Sequence, residues 1–255
     1  MITIPEPKYT VTRDEDHIYT ISPMGLVVPG TTGILDTVGS KKKTDMLMGW
    51  AKKQCLLKVA EHIRTFANKA LTVDEAWIET VRKSAWKRDR DIFKEAGDTG
   101  NKIHKAIDAY IIGGPPILDD QSRPGFENFL AWIKTSGIKL IKGDTYVASI
   151  KYKFGGALDA LGEQDGKLVL LDWKTASAMR DTYPLQVAAY SMAFKEMYGL
   201  KVKAAYVVRF GKEIPGDVEP KEIILKPAWT AFKHAIKLTE LMNNNMWAEP
   251  VKAAL

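Results

Sequence analysis

Hydrophobic positions recur at two different periods in this chain, and the change of period divides it. Over residues 40–70, Met46, Trp50, Leu57, Ala60 and Ile63 fall near a 3.6-residue spacing with lysines on other faces, which predicts a helix. The stretch Thr72-Val73-Asp74-Glu75 reads as a capping box that opens a helix to about residue 82. A further helix is expected over 89–112, interrupted or thinned at Gly97 and Gly100 and stopped by Gly113-Gly114-Pro115-Pro116. Residues 123–136 predict another, with Phe126, Phe129, Leu130 and Ile133 along one side. The period then shortens to two. Residues 145–152, 156–162 and 168–174 read as strands, the last two joined by a tight turn at Gln164-Asp165-Gly166. Pro184 opens a helix that Gly199 stops, 202–210 and 218–225 read as strands, and Pro227 opens a last helix to about residue 247. Ahead of all these lie three short strand candidates, 8–12, 17–21 and 25–28. After them Pro29-Gly30 breaks the pattern, and Thr31 or Thr32 is placed to cap a short helix through Leu35.

This order predicts an α/β fold with a central mixed sheet flanked by helices. Residues 1–95 read as an N-terminal extension or cap, mostly helical after its first strands, and 96–255 as the core. The chain's 255 residues suit one compact unit of that kind. There is no internal repeat and no low-complexity segment.

Composition adds little to the fold and something to the chemistry. The chain is 45% hydrophobic and 27% charged, ordinary for a globular protein, and its net charge of +6 favours a polyanionic partner. Cys55 is the lone cysteine, which excludes an internal disulfide and a cysteine-ligated iron–sulfur cluster. Its place in a helical pattern predicts a small buried hydrophobe. No basic-then-apolar leader opens the sequence, and no apolar run approaches the roughly 18 residues of a membrane span. A reducing, cytoplasmic setting is therefore expected, with no membrane partner.

The chemistry concentrates on residues 154–190. If the turn is centred on Asp165-Gly166, Asp159 and Asp172 fall opposite each other within about one residue of register. Alternation puts Asp172 and Lys174 on one face and Trp173 on the other. Asp172 follows the apolar run Leu168-Val169-Leu170-Leu171, and a carboxylate there is costly unless a cation pairs with it. A structural Asp–Lys pair on a solvated strand is the plain alternative. Gly155-Gly156 argues against it, because paired glycines in a strand signal a bulge or a close approach, here of a phosphate or a scissile strand. Two carboxylates can hold Mg²⁺, and an adjacent lysine can help activate water against a phosphodiester. A metal-dependent nuclease is the leading reading. No Gly-x-x-x-x-Gly-Lys-Ser/Thr motif is present, so no ATP-driven motor is encoded here.

Taken together, Gly155-Gly156-x-x-Asp159, Asp172-Trp173-Lys174 and Gln186-x-x-x-Tyr190 resemble the PD-(D/E)XK nucleases, specifically the RecB-like branch. The resemblance covers roughly residues 25–200 and implies a restriction-endonuclease-like core. It also implies that Asp159 and Asp172 bind Mg²⁺ or Mn²⁺, that Lys174 orients or activates the attacking water, and that Gln186 and Tyr190 stand beside the site. RecB-like members place a glycine-preceded histidine on an upstream helix as a further metal ligand, a role that falls on His104 after Gly100. Asp108, one turn on, is then placed to orient the ring. Where many members carry Glu-x-x-Val, this chain has Asp144-Thr145-Tyr146-Val147, which makes Asp144 a shorter and weaker candidate. Val28-Pro29-Gly30-Thr31-Thr32 and Met48-Gly49-Trp50 resemble the leading segment of phage and mitochondrial genome maintenance exonucleases.

The function implied is a Mg²⁺-dependent deoxyribonuclease, an exonuclease acting on DNA ends or single strands. Its setting would be phage or bacterial replication, recombination or repair, with a protein of those processes as a further partner. Lys41, Lys42, Lys43, Lys52, Lys53, Arg88 and Arg90 are candidates for tracking the DNA backbone, against the plain reading of a solvated surface. The alternatives are an endonuclease with the same chemistry, and a non-catalytic DNA-binding module on a nuclease fold.

Overall fold

The computed structural model describes residues 2–39, 41–65 and 74–243. The chain opens with β1 (Thr10–Arg13), β2 (Tyr19–Ser22) and β3 (Leu26–Val28), an antiparallel sheet in that order. Four helices follow: α1 (Thr31–Thr37), α2 (Lys41–Thr65), α3 (Glu75–Ile111) and α4 (Arg123–Thr135). The second sheet is built from β4 (Lys139–Ser149), β5 (Phe154–Gln164), β6 (Lys167–Lys174), β7 (Ala204–Phe210) and β8 (Val218–Glu222), in that spatial order. Helix α5 (Tyr183–Tyr198) carries the chain from β6 to β7, and α6 (Leu225–Asn243) ends the described chain. Because α5 is a crossover, β6 and β7 pair in parallel while every other neighbouring pair in this sheet is antiparallel. The sheet is thus mixed and helix-flanked, as the sequence predicts.

Local chemistry fixes the turns that matter. Asp165 and Gly166, with φ of 50° and 70°, make the two-residue turn between β5 and β6, whose left-handed backbone matches the strand twist. Gly199, φ 70°, closes α5. Strand β6 is buried on both faces. Leu168 and Leu170 join one apolar cluster with Leu158, Phe194 and Phe232, while Val169, Leu171 and Trp173 join another with Ile103, Ile107, Phe129 and Phe210. A strand buried on both faces reads as an unbroken apolar run, as this one does.

Several expectations change. Helix α3 runs unbroken through Gly97 and Gly100, and Asp74 caps it by accepting the Trp77 N–H at 2.8 Å; Thr72 lies outside the described residues. The cost of two helical glycines, about 1 kcal/mol each, is offset because α3 buries Ile103, Ala106 and Ile107. The expected division at residue 95/96 falls inside this helix, and β2, β3 and α1 share the larger apolar cluster with the main sheet. Gly30, not a threonine, sits at the N-cap of α1. The Thr31 hydroxyl instead donates to the Gly155 carbonyl at 2.7 Å, tying α1 to β5. Cys55 is exposed on α2 rather than buried. Among the described residues no helix is long and apolar enough to cross a membrane.

Candidate active site

The β5–β6 ladder pairs Gln164 with Lys167 at the turn and runs to Ala160 opposite Leu171. The next positions are Asp159 and Asp172, and there the ladder ends. The Asp159 side chain takes over, its Oδ2 accepting the Trp173 backbone N–H at 2.7 Å. One further step of the same register would set Asp159 opposite Asp172. Strand β6 continues alone beside β7, with Asp172 opposite Val207 and Lys174 opposite Arg209. Trp173 points into the α3–α4 core, which leaves Asp172 and Lys174 on the opposite face.

The geometry is a chain of charges. His104 Nδ1 lies 3.4 Å from Asp159 Oδ1, and Lys174 Nζ lies 2.6 Å from Asp172 Oδ2. Helix α3 can come this close because Gly100 has no side chain: a Cβ there would stand 2.7 Å from Thr175 Oγ1, just past the end of β6. Asp172 is only 1% exposed, and its Oδ2 accepts no aligned hydrogen bond; the Lys174 ammonium meets it as an ion pair. Burial, with Asp159 adding repulsion, pushes the Asp172 carboxyl up to about 6 despite Lys174. Burial also acts against Asp159, but His104, Lys174 and the Trp173 N–H outweigh it and hold that carboxyl below its ordinary value. For Lys174 burial opposes the charge, yet Asp172 and Asp159 prevail and raise it, so the amine stays protonated. The same contest at His104 ends with Asp159 raising the imidazole above its usual range.

Asp144 stands opposite Asp159 in the β4–β5 register, between the pairs Gly143–Ala160 and Thr145–Leu158. Burial raises its carboxyl, with repulsion from Asp159 adding to it. Asp108 accepts the Asp144 backbone N–H at 3.4 Å, and the carboxylate that meets the His104 ring is Asp159, in the place expected of Asp108. Gln186 Nε2 donates to the Tyr190 hydroxyl at 2.7 Å, so this pair acts as a unit. Burial drives the Tyr190 phenol well above its ordinary range, with Asp172 contributing.

The paired glycines have a different role from the one expected. A Cβ on Gly155 would run into the Tyr19 ring, and one on Gly156 into the Tyr190 ring. They let two tyrosines pack against the strand, and no phosphate is needed to explain them. Sequence reasoning missed Tyr183, whose ring centroid lies 5.0 Å from Lys174 Nζ. It follows an irregular loop after β6, and no periodicity marks it. Lys52 and Lys53 are exposed on α2; the side chains of Lys41, Lys42, Lys43, Arg88 and Arg90 lie outside the described residues.

Among the described residues, no three His, Cys, Asp or Glu side chains converge as a ready metal cage. The donor chemistry nevertheless suits a hard divalent ion: carboxylates from β5 and β6, an imidazole from α3, and a buried carboxylate oxygen without an aligned donor.

The family model of the PD-(D/E)XK nuclease superfamily matches residues 59–240, which contain every strand of the main sheet and the whole charge cluster. The chain belongs to that superfamily. It is similar to mitochondrial genome maintenance exonuclease 1 of Mus musculus, with 30% identity over 121 residues, covering 43% of this chain. The match spans 35% of that relative's length. Among solved structures, SSO0001 matches with a TM-score of 0.34 and 10% identity, covering 76% of this chain and 87% of that one. An alkaline exonuclease from Laribacter hongkongensis matches with a TM-score of 0.30 and 14% identity, covering 56% and 82%.

Proposed function

We propose that this chain is a Mg²⁺- or Mn²⁺-dependent deoxyribonuclease that removes nucleotides from DNA ends or single strands. The observation that carries this reading is the buried Asp172 carboxylate, 2.6 Å from Lys174 Nζ, where the β5–β6 ladder ends against Asp159. Asp159, Asp172 and His104 would hold the ion. Once bound, it polarises the phosphate and lowers the pKa of a coordinated water. Lys174, held beside Asp172 at 2.6 Å, positions the water and offsets negative charge as the phosphodiester is attacked. Gln186 holds Tyr190, and the Tyr190 ring packs over Gly156, fixing the wall behind Asp172. No protein nucleophile is needed. Exonuclease action is favoured over endonuclease action by the relative named for it.

The test compares end-labelled linear DNA with circular single-stranded DNA in Mg²⁺ or Mn²⁺. Nucleotide release from the linear form alone, abolished in Asp172→Ala, is the expected result. Cleavage of circles would make it an endonuclease. Binding without cleavage under either metal would leave a DNA-binding module.

A further inference from the structure

Beside Tyr183 lies a small cavity of about 100 Å³ between α1 and the start of α5. Thr32 and Asp36 of α1 form one wall. Arg180 and Thr182 of the β6–α5 loop, with Tyr183 and Gln186 of α5, form the other. We propose that this cavity receives one unpaired base, of the nucleotide next to the scissile phosphate, and so selects single-stranded DNA at the site proposed above.

Three observations carry this. The first is position. Tyr183 belongs both to the cavity and to the catalytic group: its ring lies 5.0 Å from Lys174 Nζ and 5.9 Å from the Arg180 guanidinium carbon. One aromatic ring therefore separates the cavity from the amine that pairs with Asp172, about the offset between a phosphate and its own base. The second is charge. Asp181 lines the cavity beside Arg180, and a carboxylate there disfavours a phosphate and suits a neutral ring. The third is chemical variety. A base needs planar groups to stack on and both donors and acceptors for its edge. Arg180 and Tyr183 offer planes, two threonine hydroxyls and an amide offer both hydrogen-bonding senses, and the Tyr190 hydroxyl already fixes that amide. Size narrows the choice. At about 100 Å³ the cavity is smaller than the roughly 150 Å³ that encloses benzene, so it admits only part of one six-membered ring, the rest staying at its mouth, and excludes a fused purine.

The proposal rests on the nuclease reading for its substrate, but its test does not need turnover. Short oligothymidylates, each carrying one tetrahydrofuran abasic residue moved stepwise along the strand, are bound to the protein in Ca²⁺ and followed by fluorescence anisotropy. The expected result is a loss of roughly tenfold or more at one position and little elsewhere. Oligodeoxyadenylate binds several-fold more weakly than oligothymidylate. Arg180→Ala, at an exposed loop position, weakens the intact strand by a similar factor and no longer responds to the abasic residue. Arg180→Lys fails to rescue it, because an ammonium offers no plane. Equal sensitivity at all positions, or rescue by lysine, would overturn the proposal in favour of a backbone contact. Absence of cleavage in Mg²⁺ and Mn²⁺ bears on the nuclease reading alone, and the anisotropy profile still decides this one.

Discussion

Lys174 and Arg209 are partners in register on neighbouring parallel strands, and each is a cation facing two carboxylates. Their surroundings could hardly differ more. Arg209 reaches Glu219 through Nε at 3.1 Å and Asp217 through both terminal nitrogens, and Lys221 adds a contact to Glu219 at 2.7 Å. The two acids are 33% and 37% exposed, so water completes their shells. Hydrogen bonds from Arg209 hold Asp217 below its ordinary value, and those from Lys221 and Arg209 do the same for Glu219. Asp172 has one cation, almost no water and an oxygen without an aligned donor, and its carboxyl is pushed up instead. The edge cluster is complete within the folded chain. On the function proposed above, the inner cluster is completed by a bound divalent cation, and that difference would separate a structural ion pair from a site.

The largest effects are expected where the inner cluster is broken. Asp172→Ala should lower nuclease activity by about 10³-fold or more. In stability, Asp172→Asn strands the buried Lys174 ammonium, and Lys174→Met strands the buried Asp172 carboxylate. Each should cost up to about 3–5 kcal/mol in urea unfolding. The double variant Asp172→Asn with Lys174→Met removes both charges and should recover most of that loss, while staying inactive. Recovery without activity would show that the pair is kept for chemistry at the expense of stability. If the double variant is as unstable as the worse single one, the inner cluster is an ordinary structural bridge and the contrast with Arg209 fails.

Smaller, and opposite in sign, are the pH dependences of the metal-free protein. Between the ordinary carboxyl value of about 4 and the Asp172 value of about 6, the folded state keeps a proton that the unfolded chain has lost. Stability should therefore fall as pH rises through that window. Asp217 and Glu219 are lowered, so below about 4 the unfolded chain takes protons that the folded state resists, and stability falls as pH drops. Thermal unfolding in a chelator, followed across pH, should show Asp172→Asn flattening the first limb and Arg209→Met flattening the second. A change in the same limb from both variants would mean that the clusters titrate as one.

The sequence showed the inner cluster because its geometry is local. Asp165-Gly166 sets the turn, and the two-residue period carries the register from there to Asp159 and Asp172. Lys174 follows by alternation, and Gln186 with Tyr190 by helical spacing. What stayed hidden depends on groups far along the chain. Gly155 and Gly156 advertise a close approach without saying by what, and the answer, Tyr19 and Tyr190, comes from two other elements. The two glycines in α3 look like a break until the packing of Ile103 and Ile107 is known. The exposure of Cys55 depends on which face α2 lays on α3. The cavity beside Tyr183 joins α1 to a loop about 150 residues later, which no local pattern encodes.

The smallest expected effect is also the sharpest check on the comparison. Arg209→Met removes the edge cation and leaves Asp217 and Glu219 to water. Both acids keep their access to water, so the loss of stability should be small. DNA cleavage and metal affinity should stay within about twofold of the parent, although Arg209 is the register neighbour of Lys174. Adjacency on the sheet is then not what makes a charge catalytic; burial without full satisfaction is. A tenfold fall in cleavage with unchanged stability would place Arg209 in the electrostatics of the site, and the two clusters would have to be treated as one.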